Sequence, residues 1–69
     1  MSDSVYKIIE LVGTSEVSWE DAAKKAVEAA SKSLHGLRIA EIKDLDLKVE
    51  EGQVVAYRAK VAVSFKLDE

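Results

Sequence analysis

From Val54 to Leu67 the chain alternates without a break: Val55, Tyr57, Ala59, Val61, Val63, Phe65 and Leu67 share one parity, while Val54, Ala56, Arg58, Lys60, Ala62, Ser64 and Lys66 take the other. Successive side chains of a strand point to opposite faces, so this run presents one apolar face to a core and one mixed face away from it. Its length and unbroken alternation suit the centre of a sheet, with a neighbour paired on each edge.

The stretch RIAEIKDLDLKV, Arg38 to Val49, is a second strand of a less simple kind. Ala40 and Ile42 share one parity; Leu45, Leu47 and Val49 share the other. No flat strand buries all five on one face, so either a β-bulge near Lys43-Asp44 resets the phase or apolar side chains emerge opposite the core. Glu50-Glu51-Gly52-Gln53 joins the two strands as a short hairpin turn, with Gly52 available for positive φ. At the start of the chain VYKIIELV, Val5 to Val12, is apolar on both parities and reads as a strand with two partly covered faces. Gly13-Thr14-Ser15-Glu16 reads as the turn that ends it.

Between these strands lies a helix. Ser18 is placed to cap it by accepting from the Asp21 amide, and Val17 is placed to staple against Ala22. The helix opens at Trp19, carries Ala23, Ala26, Val27, Ala30 and Leu34 as one narrow apolar stripe, and closes with Gly36 as its C′ residue. The expected fold is α+β: one β-α-β-β domain over residues 1–69, a three-stranded antiparallel sheet of order 1-3-2 wrapped around one helix. An alanine-rich helix about 25 Å long cannot cover three strands of this length.

A chain of 69 residues has a marginal core, and without cysteine it has neither disulfides nor thiolate zinc to support it. Self-association is the remaining means, and the uncovered apolar surface points the same way. A net charge of −3 with scattered lysines disfavours nucleic acid. No apolar run approaches a membrane span, and MSDSVYK lacks the layout of a signal peptide, so the expected location is the cytoplasm, with no membrane partner.

VYKIIELVGTS (Val5 to Ser15), SWEDAAKKAVEAA (Ser18 to Ala30) and AYRAKVAVSFKL (Ala56 to Leu67), in this order, resemble the dodecins, small β-α-β-β proteins that assemble as hollow homododecamers and in many cases bind flavins. The resemblance covers nearly the whole chain and implies a homododecamer here. Flavin-binding dodecins carry a tryptophan early in the second strand that stacks on the isoalloxazine ring, and a glutamine in the central strand that meets its polar edge. The matching positions are Ile39 and Arg58. Ile39 offers no stacking surface, and a guanidinium donates without accepting. The resemblance is therefore to dodecins lacking that tryptophan, a subset associated with calcium, and the flavin pocket is read as altered at Ile39 and Arg58.

Asp44 and Asp46 stand two apart on the second strand and point the same way. Calcium takes six to eight oxygens, so two carboxylates suffice only where copies of the chain pool them between subunits. A solvated acidic strand face is the commoner meaning of such a pair. Arg58 and Lys60 are placed to pair with Glu41, Asp44 or Asp46. Trp19 reads as packing at the helix start, and His35 has no ligating companion. Gly13-Thr14-Ser15 lacks the glycines and the lysine of a nucleotide loop. Nothing here forms an acid-base or nucleophilic set, so no enzyme is expected. Three readings follow. The first is a storage or buffering shell holding calcium or another divalent cation. The second is a riboflavin- or FMN-sequestering dodecin in which Arg58 meets the flavin's carbonyl edge or phosphate, and the third an interaction module without a ligand.

Overall fold

The computed structural model describes residues 4–67 and contains β1 (Tyr6–Ser15), α1 (Trp19–Ser31), β2 (Leu37–Glu50) and β3 (Gln53–Lys66). The strands form one antiparallel sheet of order β1-β3-β2, the topology expected from the sequence. β3 lies at the centre because its uninterrupted alternation lets Ala59, Val61 and Val63 pack under the helix along its length. Ala22, Ala26 and Ala30 meet them from α1, and Ile9, Leu11, Val27, Leu34 and Leu37 close the margins.

The phase change in β2 is resolved by bulges. Leu37 opposes Phe65 but Ile39 opposes Ser64, and Ile42 opposes Val61 but Asp44 opposes Lys60, so Arg38 and Lys43 are the extra residues. The second bulge sits where the sequence asked for one. Ala40, Ile42, Leu45 and Leu47 consequently share the helix side, opposite Val63, Val61, Ala59 and Tyr57. A third shift lies between Lys48 and Val49. The two-residue turn has positive φ at both Glu51 (52°) and Gly52 (76°), the combination that lets a hairpin follow the twist of its strands.

Four expectations are corrected. β1 does not end at Val12: Gly13, Thr14 and Ser15 pair with Ala59, Arg58 and Tyr57. Gly13 serves close approach rather than a turn, since a Cβ there would collide with the Ala22 carbonyl oxygen. The helix stops at Ser31, where the hydroxyl donates back to the Val27 carbonyl at 2.9 Å and the next amides tighten onto Ala29 and Ala30. Gly36, at φ 77°, instead turns the chain into β2. The stripe is centred on Ala22 rather than Ala23, and Val17 is 75% exposed, so the staple does not form.

The Ser18 cap does form, its hydroxyl accepting from the Asp21 amide at 3.0 Å. The buried Ser15 hydroxyl donates to Asp21 Oδ2 at 2.6 Å and accepts from the Val17 amide at 2.9 Å, tying the end of β1 to the first turn of α1. The Ser15 hydroxyl, and next the Lys25 ammonium 3.2 Å away, hold the Asp21 carboxyl below its ordinary value. A depressed native value stabilises the fold above the unfolded carboxyl's titration and is lost as pH falls through the native one. Asp21→Asn is therefore expected to melt below the parent at neutral pH and to converge on it below about pH 4. Parallel thermal melts across that range check this; a gap that stays constant with pH refutes it.

At thirteen residues α1 spans about 20 Å, while each fourteen-residue strand of the hairpin runs about 46 Å. The helix lies over β1 and β3 and barely reaches β2. Ala40, Ile42, Leu45 and Leu47 thus face the helix side only partly covered, with Ile42 and Leu45 each about half exposed. The Cα radius of gyration is 14.3 Å, against about 11 Å for a compact chain of this length.

Candidate functional site

The face of the sheet turned away from α1 is laid out in rows, because residues directly opposite across antiparallel strands share a face. Ser64 lies between Ile8 and Ile39, and Ala62 between Glu10 and Glu41. Lys60 lies between Val12 and Asp44, and Arg58 between Thr14 and Asp46. Passing along β3, an apolar row gives way to an acidic one and then to two rows in which a cation on β3 faces an aspartate on β2.

The last row is built most tightly. The Arg58 Nε donates to Asp46 Oδ1 at 2.7 Å and its terminal nitrogen donates to Oδ2 at 2.9 Å, a two-point fork on one carboxylate. The main-chain carbonyl of Asp46 accepts from Trp19 Nε1 at 3.0 Å. Trp19 in turn meets Tyr57 edge-on, ring centroids 5.3 Å apart at 74°. The first turn of α1 is thereby fastened to β2 at the residue that Arg58 grips. The fork, more than the nearby charges of Arg58 and Lys60, holds the Asp46 carboxyl below its ordinary value, and it raises the Arg58 guanidinium above its own.

The sequence-derived residues fall as follows. Asp44 and Asp46 do share a face, with Lys60 and Arg58 directly opposite. Of the partners considered for Arg58, Asp46 is the one taken. Ile39 and Arg58 lie on the same face but six residues apart along β3, about 20 Å, so one chain does not bring them together. Ile39 is 66% exposed. Trp19 packs at the helix start as expected, but its bond to Asp46 went unread, since nothing local links residues so distant in sequence. The Ser15–Asp21 bond was missed too; the polar Ser15 at a strand end just before a capped helix was its one signal.

Among the described residues no three His, Cys, Asp or Glu side chains gather closely enough to hold a metal ion. A hard cation on this face would therefore need oxygens beyond the carboxylates of a single chain, from main-chain carbonyls, water or further copies. No helix among the described residues is long and apolar enough to cross a membrane.

The family model for dodecin matches residues 5–68. The calcium dodecin of Mycobacterium tuberculosis is 44% identical over 64 residues, covering 93% of this chain and 90% of that protein. Its crystal structure, described as that of a calcium-chelating antigen with a novel calcium-binding site, superposes with a TM-score of 0.83 over 94% of this chain and 93% of that one. A dodecin of Thermus thermophilus is 40% identical over 65 residues, 94% of each protein. A dodecin from Streptomyces coelicolor superposes with a TM-score of 0.92 at 33% identity, over 100% of this chain and 99% of the other.

Proposed function

Because the chain belongs to the dodecin family, we propose that residues 1–69 form one dodecin domain that closes into a homododecamer and stores or buffers a divalent cation, calcium foremost, at sites between subunits. The role is non-catalytic and cytoplasmic, without nucleic-acid or membrane partners. The observation that carries it is the placement of Asp44 and Asp46 on one face of β2, an edge strand whose apolar side chains Ile42, Leu45 and Leu47 the same chain leaves almost half exposed. An exposed edge with uncovered apolar side chains favours pairing with another chain. Where copies meet, single pairs of carboxylates become rings. The relative named for calcium, 44% identical along nearly the whole chain, supports the cation over other ligands.

Trp19 gives the test a signal of its own. Its indole is hydrogen-bonded to Asp46, so terbium bound there in place of calcium is expected to emit on indole excitation. Calcium at about 1 mM is expected to displace it and to raise the melting temperature. Absence of both sensitised emission and a calcium-dependent melting shift sinks the cation reading. The flavin reading, with Ile39 and Arg58 contributed by different copies, is the one favoured if the protein quenches riboflavin at micromolar concentration.

A further inference from the structure

We infer that Arg58 is a built-in counter-cation that withholds Asp46 from divalent cations, so that the side chain at position 58 sets how tightly the Asp44–Asp46 face holds one. This rests on the cation reading above and concerns the regulation of that same face.

Each of the three oxygens Asp46 could offer a metal already accepts a hydrogen bond, two from the Arg58 fork and one from Trp19. Asp44 stands directly opposite Lys60. Two anions thus face two cations across adjacent rows, and the pair of rows carries no net charge toward an incoming ion. A calcium ion approaching Asp46 must displace a two-point hydrogen bond and then sit beside the guanidinium it displaced. Repulsion between a unit and a double charge at ~5 Å in water corresponds to roughly ten-fold in affinity. Lysine at 58 would release one of the two carboxylate oxygens more readily but keep the charge; glutamine would remove both restraints. The pair lies on the exposed face, about half accessible on each side, so its loss leaves the core untouched.

Titration of the full-length assembly with terbium and with calcium, comparing parent, Arg58→Gln, Arg58→Lys and Arg58→Gln/Asp46→Asn, decides the matter. Arg58→Gln is expected to bind roughly ten-fold more tightly, Arg58→Lys to fall between it and the parent, and the double variant to lose the gain. Lys32→Gln, which removes the same charge at the end of α1, is expected to bind like the parent. Should Arg58→Gln fail to fold by circular dichroism, Arg58→Lys carries the test: affinity above the parent supports the inference, and unchanged affinity overturns it. If the parent binds and Arg58→Gln binds no better, the counter-cation role falls while the cation reading stands on other ligands. If neither binds, both fall. If only Arg58→Gln binds, the counter-cation role stands and cation storage by the natural chain falls.

Discussion

Gly13→Ala is expected to unseat the helix from the sheet. The added methyl would collide with the Ala22 carbonyl oxygen and stand 3.0 Å from the Ala26 Cβ, and backbone cannot swing aside as a flexible side chain can. Relief requires α1 to lift, which opens the contact between Ala22, Ala26 and Ala59 that forms the middle of the core. Overpacking of a tight contact costs about 3 kcal/mol when backbone must move. For a domain this small that is a fall in melting temperature of about 12–24 °C. Calorimetry or a circular dichroism melt reads it directly; a variant melting within a few degrees of the parent would show that the helix rides higher on the sheet than described.

Leu45→Lys is expected to break the proposed assembly while leaving the single fold largely intact. Leu45 is about half exposed within one chain, on the helix side of the edge strand β2, and the aliphatic stem of a lysine can keep much of the contact its buried half makes. Exposed substitutions of this kind usually change stability by no more than about 0.5 kcal/mol. Any larger loss must come from contacts with other copies, where a charge would enter a dry apolar band. Sedimentation equilibrium is expected to move from the twelve-fold mass of the proposed assembly toward the single chain at low micromolar concentration, and the concentration dependence of melting that an assembly shows is expected to disappear. A variant keeping parental mass and melting would place the subunit contacts elsewhere.

The architecture was legible because the period-2 and helical patterns were long and the cap and hairpin carried their usual residues. Ser18, Gly52 and the alternation of β3 each point to the element found. Gly13 was misread because a glycine followed by Thr-Ser looks like a turn from the sequence; its purpose depends on a helix that arrives later in the chain. The helix end was misplaced for a related reason, as Leu34 continues the apolar period although Ser31 has already diverted its hydroxyl to the backbone. The Arg58–Asp46 fork could be guessed only as one of several pairings. Counting back from the hairpin without irregularities places Asp46 beside Tyr57, and only the register shift between Lys48 and Val49 moves it opposite Arg58. Pairing across a sheet depends on every bulge between the residue and the turn, and bulges leave faint marks in sequence.

The extra residue at Lys43 also bears on how the chain finds its register. Slide β2 by one position along β3 and Leu45 would be driven among Arg58 and Lys60 while Asp46 entered the greasy side near Ala59 and Tyr57. Every side chain past the bulge would be inverted at once, so the wrong alignment gains nothing it could keep. A long exposed ribbon of this kind would otherwise be free to creep, and the kink at Lys43 makes it a ratchet with a single tooth.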